Sequence, residues 1–144
     1  MPKRRTGRGR QEILNRSIHV RSVELSVSRR AQKRRGEFPR FEGHPWLKLH
    51  GEAEESLAET RQFLIRVNVD DSEEPGPSRP PAIGAVLRVK PEFDALISLD
   101  SASFDRVWSM ATAGLVRYCW IAFTQPYRGS SLVVSVSFSS EKEE

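Results

Sequence analysis

LVRYCWIAFTQPYRGSSLVVSVSF, residues 115–138, is the stretch whose reading decides the fold. Two apolar runs rich in β-branched and aromatic residues flank a turn containing Pro126 and Gly129, the sequence form of an antiparallel hairpin. In the second run Leu132, Val134, Val136 and Phe138 share one parity, and Val133, Ser135 and Ser137 the other. One face of that strand is therefore apolar and the opposite one mostly polar. The first run is apolar on both parities, with Leu115, Cys119, Ile121 and Phe123 against Val116, Tyr118, Trp120 and Ala122. A strand of that kind is covered twice or sits centrally. Tyr118 and Trp120 either line a ligand groove or pack against the helix that precedes the hairpin, and they are read as core because large aromatics supply most core area.

That helix is written in LDSASFDRVWSMATAG, residues 99–114. Asp100 serves as N-cap, Leu99 and Phe104 form a hydrophobic staple, and Phe104, Val107, Trp108 and Ala111 recur at helical spacing. Gly114 closes it, so the helix spans about 101–113 and lies across a sheet. Upstream, Ile83, Ala85, Leu87 and Val89 alternate and are expected inward, Pro91 interrupts at an edge position, a bend or a new strand, and Phe93 to Leu99 resumes with Leu96, Ile97 and Leu99. Two further alternating runs make a second hairpin: Leu47, Leu49, Gly51 and Ala53 inward, then Phe63, Ile65, Val67 and Val69 inward. The connection around Leu57 is a polar turn, with a helical turn as the competing signal. In SIHVRSVELSVSRR, residues 17–30, the apolar parity changes from Ile18 and Val20 to Val23, Leu25 and Val27, so a β-bulge or break is expected near Arg21 and Ser22.

The fold class that follows is mainly β, with α+β as the variant: an antiparallel β-sandwich or half-open barrel of six or seven strands with one packed helix. With 144 residues the chain is one domain by length, large enough to bury about 70% of its unfolded surface without a disulfide or metal. Its parts are a disordered basic arm (1–16), a β-rich domain (17–139) and a disordered acidic tail (140–144). The domain carries a basic loop at 29–45 and an acidic, proline-rich loop at 70–82. The single cysteine, Cys119, reads as a small buried hydrophobe. There is neither an 18-residue apolar span nor an apolar segment behind the basic amino terminus, and the next segment alternates with period two rather than forming a presequence helix. The expectation is a cytoplasmic protein without a membrane partner.

Charge is polarised along the chain. Residues 1–50 hold 14 Lys and Arg against 4 Asp and Glu, and residues 51–144 hold 9 against 15, so a net +10 precedes a net −6. Such an asymmetry marks an arm that meets a polyanion or an acidic protein surface. The site residues expected to contact nucleic acid are Lys3, Arg4, Arg5, Arg8 and Arg10 in the arm, and Arg29, Arg30, Lys33, Arg34, Arg35 and Arg40 in the loop. Phe38 and Phe41 are interleaved with the second set, and aromatic plus arginine is the pairing that stacks on unpaired bases. Arg8-Gly9-Arg10 resembles the centre of an AT-hook, without the flanking prolines of that motif. Arg30-x-x-x-Arg34 and Asp70-x-Ser72 resemble the two halves of the PilZ signature, which clamps cyclic di-GMP on a small β-barrel. The glycine falls at Gly76 and Pro75 holds the position the motif requires, so that reading is not adopted.

Catalytic and cofactor signatures are not found. His44 and His50 flank PWLKL at a spacing that matches no metal geometry, the carboxylates of 70–74 lack a calcium-loop pattern, and no phosphate-binding glycine loop or nucleophile elbow occurs. No catalytic, cofactor or metal residues are assigned. The leading expectation is a non-enzymatic binding or assembly module of low sequence specificity whose basic arm and loop contact a polyanion, nucleic acid first. The alternative is a structural subunit whose arm docks on an acidic surface of itself, a sister copy or another partner. A small ribonuclease-like enzyme built on His19, His50 and arginine is the third, and two histidines in one pocket would favour it.

Overall fold

The structure is a computed structural model that describes residues 12–32, 40–71, 82–127 and 131–142, with the backbone alone for 29–32 and 40–44. Seven strands close into a barrel in the order β1-β2-β3-β5-β4-β7-β6. They are β1 (Ile13–Gln32), β2 (Arg40–Leu57), β3 (Thr60–Val69), β4 (Gly84–Arg88), β5 (Phe93–Leu99), β6 (Tyr118–Thr124) and β7 (Leu132–Ser139). One helix, α1 (Ser101–Thr112), lies between β5 and β6. All pairings are antiparallel except β3 with β5, where Phe63 to Val69 run parallel to Phe93 to Leu99. No helix among the described residues is long and apolar enough to cross a membrane.

Period-two patterning builds the wall. Leu47, Leu49, Ala53, Phe63, Ile65, Val67, Phe93, Ala95, Ile97, Cys119, Ile121 and Phe123 all point inward and are buried. The barrel interior is solid. Phe63 stacks on Phe93 with ring centroids 4.2 Å apart, and Phe93 meets Phe123 at 5.1 Å. Each such ring contributes about 2–3 kcal/mol through burial. Burial also pushes the Cys119 thiol up to about 12, which makes it the inert hydrophobe expected.

The helix begins where the sequence places it. The Asp100 side chain accepts from the Ser103 amide at 3.3 Å, and Asp71, just past β3, accepts from the Ser101 amide at 2.8 Å and from the Ser101 hydroxyl. Both carboxylates sit at the positive end of the helix dipole. At the other end Leu115 N–H donates to Met110 O and Gly114 N–H to Ala111 O, a Schellman closure with Gly114 at φ 73°. Phe104 and Val107 join the core, so the helix covers the end of the barrel where β3 and β5 finish.

Several expectations change. The bulge comes where the parity changes, between Val20 and Ser22. Residues 13–16, expected in the disordered arm, belong to β1 and pair with 121–124 of β6. The stretch 29–45 is not loop throughout, because β1 continues to Gln32 and β2 starts at Arg40. A two-stranded ladder with no third neighbour tolerates arginine, and the rest of the expected loop, residues 33–39, lies outside the described residues. In β4 the inward residues are Gly84 and Val86, opposite Ile97 and Ala95, while Leu87 is exposed. In β7 a further bulge between Val133 and Ser135 turns Val133 inward ahead of Val136 and Phe138. Apolar spacing alone does not reveal a strand that changes face. The link between β2 and β3 is a two-residue turn, with Ala58 and Glu59 both at positive φ.

Candidate nucleic-acid interface

β1 and β2 outrun the barrel. β1 pairs with β6 only as far as His19, and β2 pairs with β3 only from Leu47 onward. Beyond those points the two strands pair with each other, out to Gln32 opposite Arg40. A two-stranded ribbon of this kind is one of the two elements that fit the major groove of a duplex. Val23, Leu25 and Val27 continue the barrel's inward face along it, and exposure rises to 37% at Leu25 and 66% at Val27 as the ribbon leaves the core.

Three of the residues expected to meet nucleic acid lie on this ribbon. Arg29 stands opposite Gly43, Arg30 opposite Glu42, and Arg40 opposite Gln32. Lys33, Arg34 and Arg35 follow directly on β1 in the chain but, with Lys3, Arg4, Arg5, Arg8 and Arg10, lie outside the described residues. So do Phe38, the remaining PilZ-like positions Ser72 and Gly76, and most of the 70–82 loop. From Ser26 to Trp46 the sequence carries six Lys and Arg against two glutamates. Of these cations, Arg29, Arg30 and Arg40 fall on the described part of the ribbon.

Among the described residues, four cations of the barrel body meet carboxylates. Arg21 meets Glu52 at 3.0 Å and holds that carboxyl below its usual range. Arg66 and Arg88 converge on Asp94, and Lys142 reaches Glu54 at 3.0 Å. Glu24 faces His50 at 3.0 Å, while His19 stacks on Tyr118 with centroids 5.1 Å apart. The two histidines have different partners, and no cluster of His, Cys, Asp and Glu suited to a metal occurs among the described residues.

Tyr118 and Trp120 are not core residues. They are half-buried on the outward face of β6, away from the helix, and border a shallow recess with Ser17, Ser139 and Lys142. The signal was present in the sequence, since the strands on either side supply Ser17, Ser137 and Ser139 at the facing positions. No family model, curated protein or solved structure matches this chain, so the interface stands on its own geometry.

Proposed function

We propose that the protein is a non-enzymatic nucleic-acid-binding or assembly module that engages its partner through the basic β1/β2 ribbon and the arginine-rich amino terminus. The observation that carries this reading is the ribbon itself, which takes Arg29, Arg30 and Arg40 beyond the barrel. Phosphate neutralisation supplies the affinity and sequence selectivity is low. The rival, an arm docked on the acidic half of the same fold, has to compete for Glu52, Glu54, Asp71 and Asp94, each of which has a partner among the described residues. A single buried thiol suits a reducing compartment, and we place the protein in the cytoplasm.

A fluorescence titration of labelled oligonucleotide across a salt series tests this. Affinity is expected to fall by orders of magnitude between roughly 50 and 200 mM salt, and R29A/R30A/R40A to flatten that slope by about one unit for each phosphate that goes unneutralised. An affinity that does not change with salt overturns the proposal. So does loss of a homo-oligomer, rather than of binding, in the triple variant.

A further inference from the structure

The outward face of β6 has a composition that neither packing nor the basic ribbon explains. Tyr118 and Trp120 stand two positions apart there, with the buried Cys119 between them. Across the ladders, Ser17 and His19 of β1 face them on one side, and Ser137 and Ser139 of β7 on the other. The two large rings are thus bordered mainly by hydroxyl groups too short to cover them. His19 backs one face of Tyr118, with the ring planes 18° apart. On the opposite side the neighbouring position belongs to Ser139, whose side chain is too short to cover the ring.

An unpaired base stacks on an aromatic side chain of this kind. The recess found there is bordered by Tyr118, Trp120, Ser139, Ser17 and Lys142, whose ammonium meets Glu54 at 3.0 Å. The exposed Lys142–Glu54 pair is worth little in water, so a phosphate can draw the lysine away from its glutamate. The recess is shallow, and the entering ring displaces water rather than core.

From these relations we infer that the β1-β6-β7 face binds unpaired bases of a single-stranded nucleic acid, with Tyr118 as the stacking surface, Trp120 as the adjoining wall and Lys142 beside the backbone phosphate. The inference rests on the nucleic-acid reading above and deepens it. The bulge at Arg21 keeps the track continuous: the outward parity carried by His19 below it passes to Ser22 and Glu24 above it, leading onto the ribbon. Bases stack on the barrel while the cations of the ribbon hold the strand that carries them.

The test compares a 20-nucleotide oligothymidylate, the same backbone with abasic sites, a duplex and inorganic polyphosphate. With the unaltered protein, the abasic strand is expected to bind about tenfold or more weakly than oligothymidylate. Y118A and W120A are expected to lose a similar factor for oligothymidylate and none for polyphosphate, while Y118F, which keeps the ring, retains full affinity. Equal binding of the abasic and base-bearing strands, or preference for the duplex, overturns the stacking site and leaves the electrostatic reading standing. Absence of binding to all four probes overturns both.

Discussion

Arg66 donates two hydrogen bonds to Asp94, Nε to Oδ1 at 3.0 Å and Nη2 to Oδ2 at 3.2 Å, across the parallel β3/β5 pair. The carboxylate is 7% exposed and its second cation, Arg88, stands farther off at 3.5 Å and is half exposed. The forked bond raises the Arg66 pKa above its ordinary value. Removing Arg66 leaves a nearly buried charge with one distant partner, and R66A is expected to cost about 2 kcal/mol. R88A, at the rim, is expected to cost about 0.5 kcal/mol or less. Urea denaturation of the two variants checks the order, and an equal loss contradicts it.

The β2/β3 turn is strained by its residues. Ala58 and Glu59 hold φ of 51° and 69°, the left-handed pair that Asn-Gly adopts readily in a two-residue hairpin. The double substitution A58N/E59G is expected to stabilise the fold by about 1 kcal/mol, read as a higher urea midpoint at unchanged slope.

Gly84 brings β4 against β5. A Cβ there would stand 2.1 Å from Leu96 O and 2.9 Å from Ile97 Cα. The same glycine belongs to the short seam with β7, where only Gly84 and Ala85 are in register with Val133 and Leu132. G84A is expected to destabilise by about 3 kcal/mol. Hydrogen exchange should show the Ile83 and Val86 amides, which bond to Val133 O and Ser131 O, losing protection first.

Acid should weaken the cap of α1. Hydrogen bonds from Ser103 lower the Asp100 pKa from 3.8, so its contribution is intact above 3.8 and is lost as pH falls through the lower folded value. D100N keeps an accepting oxygen without the titration, and its melting temperature should fall less steeply below pH 4 than that of the unaltered protein. Parallel acid limbs for the two proteins would contradict this assignment.

The local chemistry of the chain was largely legible. Phe63, Ile65 and Val67 announce β3 by alternation, Asp100 and Gly114 announce both ends of α1, and the parity change after Val20 announces the bulge. What escaped depends on residues distant in the chain. Ile83 and Val89 pack on the core as their alternation suggests, but between them Gly84 and Val86 face inward and Leu87 is exposed, because the ladder shifts register after Val86 and Gly84 matters for its lack of a side chain. The parallel β3/β5 pair and the closure of the barrel follow from strand order, which no local pattern encodes. Tyr118 and Trp120 passed for core because their strand is apolar on both sides, and only the serines of two other strands show that one side faces solvent. Arg29, Arg30 and Arg40 were recognised as a cluster by charge, but the ladder that carries them continues under residues with no apolar alternation of their own.

The β1/β6 ladder has a consequence for synthesis. Ile13 pairs with Thr124, roughly a hundred residues further on, so the first strand leaves the ribosome long before its neighbour exists. Until then that flank of the nascent polypeptide is open to chaperones and to other unfinished chains, and expression yield should be sensitive to how fast the carboxy-terminal third is translated.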